Sequence, residues 1–278
     1  MRTYRMVAVA LFAAAAALFQ LLHSVIGIPT GFGMVVDLAG LPVLLAFFIF
    51  GFEEAVGVLV LLSLIITLVS PETWLGASMK FAGTLPMVLT PALWLLAAKK
   101  KNDLGRIGAM AVMLIVVSLS LFLLAGLINT SMKPEKGDEL YSIPEIRAGG
   151  SVFVEGASVS IGDLIGGLSP IVGLAIASLF ILRLWGRYGK GVDKASLRDP
   201  ATIAAITILA IVVRGVSMVL ANYYYAGPIF WGMSPEQVMA IAPWYLIFGF
   251  NAIQAAVELG FAWAIAFKFR FADYYGSS

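Results

Sequence analysis

The sequence predicts an all-α, polytopic transmembrane helical bundle, and two observations support that prediction. The chain of 278 residues is 61% hydrophobic and only 12% charged, with a mean hydropathy of +0.97, whereas soluble domains are roughly 25% charged. Several of its apolar runs also approach the roughly 20 residues that an α-helix needs to cross a bilayer. A chain so poor in charge is suited to lipid rather than to water.

Eight apolar spans are predicted, within one membrane domain that covers residues 1–278. They are 6–26, 38–52, 54–70, 84–98, 107–128, 161–182, 200–222 and 239–267. The second, third and fourth are short, because Gly51, Pro71 and Pro86 interrupt them. The first could instead be a signal peptide, but its apolar run continues to Ile26, beyond the usual 7–15 residues of such a segment.

The lysines and arginines predict how the chain is oriented. Most lie in segments that fall on one side of the membrane, at 2–5, 99–106, 183–198 and 268–270, while the other side holds Lys80, Lys133, Lys136 and Arg147. Cytoplasmic segments are the ones enriched in these residues. We therefore expect a multi-pass protein of the plasma membrane with both termini in the cytoplasm and with 129–160 as an outer loop.

The composition argues against several classes of function. The chain has no cysteine and only one histidine, His23, and its net charge is only +2, so thiolate or multi-histidine metal sites and nucleic-acid binding are not expected. Glu53 and Glu54 resemble the paired glutamates of CAAX-type intramembrane proteases, but Val58 stands where that pattern needs an arginine. We expect no enzymatic activity, no cofactor and no metal.

The last span carries a row of polar residues. Asn251, Gln254 and Glu258 are spaced i, i+3 and i+7, which places them on one face of a helix. Arg214 lies on the span before it, 200–222, roughly 22 Å from the cytoplasmic start of that span at about 1.5 Å per residue. Gln254 lies roughly as far from the cytoplasmic end of the last span, so Arg214 is level with Gln254 and within reach of Glu258. The row could line a ligand pocket, form an ion pair that only neutralises buried charge, or serve an ion-coupled carrier.

The outer mouth of the bundle is predicted to hold Asp37, in the glycine-rich segment 31–42. Asp37 could cap the helix that follows or contact a ligand, and the two roles are compatible. Aromatic residues at this level could stack on a flat ligand or form the interfacial belt, which we favour for Trp231. They are Trp74, Tyr223, Trp231, Trp244 and Tyr245.

The first span carries small residues at helical spacing. Ala10 with Ala14, and Ala13 with Ala17, form small-xxx-small pairs, which allow another helix to approach closely. That helix could belong to the same bundle or to a separate membrane subunit.

Several short motifs resemble the S-components of energy-coupling factor (ECF) vitamin transporters, the riboflavin-specific members above all. Asp37-Leu-Ala-Gly-Leu-Pro42 with Phe50-Gly51 resembles the family's D-x-S-D-x-P … FGP segment. Asn222-Tyr-Tyr and Pro243…Phe250-Asn251 resemble its NYF and P-F-N-x-x-K segments. The resemblance covers about residues 5–101 and 200–268, so that 102–199 would be an insertion of two spans and the outer loop into a six-span core.

The resemblance implies a substrate-binding subunit that captures a vitamin, riboflavin first, from outside the cell. It would associate with a transmembrane coupling subunit and two ABC ATPases, and the alanine face of the first span would be the docking surface. The expected ligand contacts are Asp37, Leu38, Gly40, Arg214, Asn222, Tyr223, Asn251 and Gln254.

Two positions depart from the family pattern. Gly40 stands where the family has an aspartate, and Gln254 stands where it has a lysine, a charge that Arg214 could restore. An S-component for another small vitamin or a queuosine-type precursor, a standalone ion-coupled carrier that uses Arg214 and Glu258, and a scaffold without a substrate are the alternatives.

Overall fold

The computed structural model describes residues 2–30, 35–70, 73–98, 182–183, 185 and 194–275, and these form an all-α polytopic membrane bundle. Within them, five helical stretches are long and apolar enough to cross a membrane, at 3–21, 52–69, 74–96, 200–231 and 244–268. Most large exposed side chains on these stretches are apolar, as lipid contact requires, and the exposed charged ones, Arg5, Glu53 and Lys268, lie near the ends of the stretches. The predicted spans 107–128 and 161–182 and the loop 129–160 lie outside the described residues, Leu182 excepted.

The described helices follow one another in an up-and-down order. They are α1 (Arg2–Leu21), α2 (His23–Ile26), α3 (Leu41–Ile49), α4 (Phe52–Val69), α5 (Thr73–Ala98), α6 (Pro200–Ala221), α7 (Gly227–Trp231), α8 (Pro235–Ile241), α9 (Trp244–Trp263) and α10 (Phe271–Tyr275). Single π-helical turns join α6 to α7 at Asn222–Ala226 and extend α9 through Ala264–Lys268. Two short antiparallel strands, β1 (Ile28–Pro29) and β2 (Val35–Val36), precede α3.

Helix α3 is too short to be the second spanning helix that the sequence predicts over 38–52. Its nine residues rise roughly 14 Å, about half of the hydrocarbon core. All of them except Leu45 are buried, and the helix packs between α1, α4 and α9. The chain then turns at Gly51, whose φ of 140° is accessible to glycine, and enters α4.

Helix α5 begins eleven residues before the predicted span 84–98, because Pro86 and Pro91 lie inside it instead of ending it. Prolines are tolerated in membrane helices where neighbouring groups satisfy the backbone, and the Thr90 hydroxyl donates to the Pro86 carbonyl at 2.7 Å. As a consequence, Lys80 belongs to a helix and not to the outer segment that the sequence predicts.

Helix α6 begins as predicted, at the N-cap Asp199, which accepts a hydrogen bond from the Thr202 backbone N–H at 2.8 Å. It does not stop at 222, since the π-helical turn continues directly into α7 and the apolar stretch reaches Trp231. The predicted last span, 239–267, is divided at Pro243 between α8 and α9.

The two ends of the bundle differ in composition. The basic end holds the start of α1, the turn between α3 and α4, and the end of α9; its cations are Arg5, Lys194, Arg198, Lys268 and Arg270. There the Lys194 ammonium donates to the last carbonyls of α3, Phe47, Phe48 and Ile49, at 3.4, 3.3 and 3.1 Å. The hairpin end holds β1, β2 and the starts of α5 and α9.

Candidate ligand-binding site

The polar row of α9 lies inside the bundle, as its helical spacing predicts. Asn251 and Glu258 are fully buried and Gln254 is 3% exposed. The Asn251 amide donates to the Ile247 carbonyl at 2.8 Å. The apolar remainder of α9 faces the other helices and the outside, so the row needs polar partners from elsewhere in the fold.

Arg214 on α6 supplies one of those partners, at the depth that the sequence predicts. Its Nε donates to Asn251 Oδ1 at 3.1 Å, and its Nη1 donates to Glu258 Oε2 at 3.3 Å. Nη1 also lies 3.3 Å from the sulfur of Met87 on α5. The guanidinium therefore connects three helices at the centre of the bundle.

The loop that precedes α3 closes over the same row. Gln254 Nε2 donates to the backbone carbonyl of Asp37 at 3.2 Å and lies 3.4 Å from its Oδ1. The Gly40 N–H donates to Glu258 Oε1 at 3.0 Å. A Cβ at position 40 would lie 2.6–2.8 Å from the Glu258 carboxyl group, so this contact requires a glycine.

Asp37 is buried and paired with a lysine that the sequence analysis missed. Its Oδ1 accepts from Lys80 Nζ at 2.5 Å and from the Ala39 N–H at 2.8 Å, and Gly40, not Asp37, is the N-cap residue of α3. Burial raises the pKa of Asp37, but the Lys80 charge and these hydrogen bonds outweigh it and hold the pKa below its ordinary value. The signal for Lys80 is its position: if the helix is predicted to continue through Pro86, Lys80 is the one cation within α5.

A partly open cavity of about 170 Å³ lies beside this network at the hairpin end. Its lining is partly polar and partly apolar, and the apolar part includes two aromatic rings from α7. The polar lining consists of Gln20, Asp37, Lys80, Arg214, Asn222, Asn251 and Gln254, and the apolar lining of Val35, Leu75, Gly76, Met79, Gly83, Met218, Ala226, Gly227, Phe230 and Trp231.

Five of the predicted contact residues line this cavity, namely Asp37, Arg214, Asn222, Asn251 and Gln254, and three do not. Leu38 packs against the hydrophobic core, and Gly40 lies behind the wall, against Glu258. Tyr223 points away, and its hydroxyl donates to Glu236 at 3.1 Å.

The aromatic residues divide differently from the prediction. Trp231, which was favoured for the interfacial belt, lines the cavity together with Phe230. Trp244 and Tyr245 are 61% and 58% exposed and do not line it. The π-helical turn explains the missed Phe230, because it carries the helix nine residues beyond the predicted end at 222, to Trp231, and so brings α7 to the cavity.

The alanines of α1 lie on two faces. Ala13 and Ala17 are buried inside the bundle, where α1 packs against α3 and α4, whereas Ala10 and Ala14 are exposed. The first pair is internal packing, and only the second remains available to another helix.

In the described part of the chain, no group of three or more His, Asp or Glu side chains is placed to hold a metal ion. The arrangement can bind a molecule, because hydrogen-bond donors, acceptors and aromatic rings line one cavity. No protein family, no curated protein and no solved structure matches the chain.

Proposed function

We propose that this protein is the membrane-embedded substrate-binding subunit of an ECF-type importer for a heterocyclic vitamin. The observation that carries the proposal is the cavity itself. It brings together seven polar residues, from the loop before α3, from α1, α5, α6 and α9, and from the π-helical turn, and Phe230 and Trp231 line the same cavity. Apolar pockets with a few convergent polar groups are the usual form of small-molecule sites, and a flat ring in this cavity would both stack and form hydrogen bonds.

The two departures from the family pattern support the proposal, because other residues occupy the same space. The Glu258 carboxylate fills the volume that a side chain at position 40 would take, so a carboxylate from α9 replaces the missing aspartate. Arg214 bonds to Asn251 and Glu258, the polar neighbours of Gln254 on α9, so a cation from α6 replaces the missing lysine.

The size of the cavity bears on which vitamin binds. Sites for drug-sized ligands have volumes of roughly 300–1,000 Å³, and this one measures about 170 Å³. A compact vitamin therefore fits as the protein stands, whereas riboflavin requires the loop before α3 or the segment 222–231 to move outward. Riboflavin remains the first vitamin to test because the motifs resemble those of its S-components.

The charges at the two ends fit an importer of the plasma membrane. The cations of the basic end would face the cytoplasm with both termini, so the cavity would open to the outside. Ala10 and Ala14 would offer a transmembrane coupling subunit a close approach on the exposed face of α1, and that subunit would connect the protein to two ABC ATPases.

Purified protein provides the test. Calorimetric titration against a panel of vitamins should reveal one that binds with one-to-one stoichiometry, and riboflavin retained from the cell would show as visible flavin absorbance. The proposal fails if no vitamin in the panel binds to the folded protein.

One observation favours a second candidate, a standalone ion-coupled carrier. The ion pairs Lys80–Asp37 and Arg214–Glu258 lie side by side, joined by hydrogen bonds from the neutral Gln254 amide to both carboxylates, and buried ionisable groups of this kind are found in ion-coupled carriers. Uptake of a vitamin into liposomes that contain this chain alone, driven by a proton gradient, would support this candidate, and uptake only with the coupling subunit and ATP would exclude it.

A further inference from the structure

Arg214 has one nitrogen, Nη2, for which the described part of the chain provides no hydrogen-bond partner. A guanidinium carries five N–H donors, and here Nε is bonded to Asn251 and Nη1 to Glu258 and Met87. Among the described residues, no hydrogen bond joins Nη2 to the protein. Only 3% of the residue is exposed, yet it lines the cavity.

Gly83 on α5 leaves Nη2 uncovered on its side. It lines the cavity, and a Cβ at this position would lie 3.3 Å from the Met218 sulfur, 3.6 Å from Nη2 and 3.7 Å from the central guanidinium carbon. A side chain there would contact the group, whereas glycine adds no atom over it.

Glu258 lies behind the wall and does not line the cavity. Its carboxylate accepts from Gly40 N–H, Gln254 Nε2 and Arg214 Nη1, and it is fully buried. It holds the guanidinium in place and neutralises its charge from a position that a ligand cannot reach.

The four charged groups at the site balance one another. Lys80 is paired with Asp37, and Arg214 with Glu258. A ligand that brought its own charge into this setting would lose its hydration without gaining a counter-charge, which is costly in a buried site. An uncharged ligand with a hydrogen-bond acceptor meets no such cost.

From these observations we infer that the cavity selects an uncharged carbonyl compound, that Arg214 Nη2 donates to its carbonyl oxygen, and that Glu258 sets this charge preference from behind the wall. The inference rests on the proposed function and names the substrate class of the same site. Arg214 is then a ligand contact, and Glu258 is a positioning residue.

The test compares uncharged vitamins with their charged counterparts, as riboflavin with riboflavin 5′-phosphate, nicotinamide with nicotinate, and pyridoxal with pyridoxal 5′-phosphate. Calorimetric titration of the wild-type protein should show tighter binding of the uncharged member of the pair that binds. Tighter binding of the charged member overturns the inference while leaving vitamin binding intact. Binding of no member overturns the proposed function, and the inference with it.

Variants then separate the two residues. Glu258→Gln leaves Arg214 uncompensated and should shift the preference toward the charged member by roughly tenfold or more; an unchanged ratio contradicts the role of Glu258. The double variant R214M/E258Q removes both charges together and should bind the uncharged member roughly 10- to 100-fold more weakly, because one hydrogen bond from a charged donor is lost. Wild-type affinity in the folded double variant overturns the contact.

Gly83→Ala provides an independent test should the double variant not fold. Its methyl group would lie 3.3 Å from the Met218 sulfur and in van der Waals contact with Nη2, so affinity for the uncharged member should fall although no charge has changed. The control is Gly249→Ala on α9, whose Cβ would meet no atom within 4 Å. Equal affinity of both variants would show that Nη2 does not touch the ligand.

Discussion

The hairpin end and the basic end of this bundle use charge in opposite ways. At the hairpin end, Asp37, Lys80, Arg214 and Glu258 are nearly or fully buried, contributed by three helices and a loop, and arranged around a cavity. At the basic end, Arg198 and Asp273 pair on the surface, and Lys194 binds backbone carbonyls. Buried charges of the first kind are costly unless all of their partners are present, and such cost is typical of functional sites inside membrane bundles.

The largest expected effect is at Arg214. Replacing it alone with methionine leaves the Glu258 carboxylate buried without its counter-charge, which should destabilise the protein by about 3–5 kcal/mol. The measurement is thermal unfolding in detergent. The double variant R214M/E258Q should recover most of the loss, and a double variant as unstable as R214M would mean that the pair is not the cause.

Removal of Lys80 should have the next largest effect, about 1.5–3 kcal/mol for Lys80→Met, because a hydrogen bond between charged groups is lost. Asp37 then loses the Lys80 charge and hydrogen bond that lower its pKa, and only the Ala39 N–H and the Arg214 charge still oppose the burial that raises it. Because the folded-state pKa of Asp37 is then higher in K80M than in the wild type, the deficit of K80M relative to the wild type should be larger at pH 7.5 than at pH 4.5. Unfolding temperatures at the two pH values measure it, and a deficit independent of pH would contradict the pairing.

Gly40→Ala tests the closest contact of the loop with α9. The added methyl group would collide with the Glu258 carboxyl group and should cost about 1–3 kcal/mol as overpacking. Gly260→Ala on α9 is the control: its Cβ would meet no atom within 4 Å, and it should be neutral or stabilising by up to about 1 kcal/mol. Equal unfolding temperatures for the two variants would show that the loop does not lie where the structure has it.

The smallest effect on stability is expected for the replacement of Lys194 at the basic end, and it should depend on pH. Burial lowers the pKa of Lys194 from 10.5 to about 8. Because the folded state releases this proton more readily than the unfolded chain, the stability of the wild type relative to Lys194→Met should rise between about pH 8 and pH 10.5. Urea unfolding of both proteins at pH 7.5 and pH 9.5 measures the difference in their free energies of unfolding. If the wild type becomes less stable relative to Lys194→Met at the higher pH, the pKa of Lys194 is not lowered in the folded state.

The sequence reveals the site wherever periodicity alone determines position. The spacing of Asn251, Gln254 and Glu258 predicts one buried face, and counting residues along two helices predicts that Arg214 reaches it. Both follow from the constant rise and pitch of an α-helix, so no knowledge of the tertiary fold is needed.

Prediction of helix ends from the sequence fails where a residue that commonly ends a helix lies inside one, because the surrounding helices stabilise it there. Pro86 looks like the start of a span but lies inside α5, which hides Lys80 from a prediction based on segments. Asn222 looks like the end of a span, yet a π-helical turn continues the helix and brings Phe230 to the cavity. The alanines of α1 divide between two faces, because residues 13 and 14 differ by about 100° around the helix axis.

Trp231 makes the central claim directly measurable, since it lines the cavity. If the cavity is the ligand site, a vitamin that binds by calorimetry should quench tryptophan fluorescence saturably in the wild-type protein. In Trp231→Phe the quench should be largely lost, although calorimetry still detects binding. An unchanged quench in the folded W231F variant would place the ligand elsewhere and contradict the account.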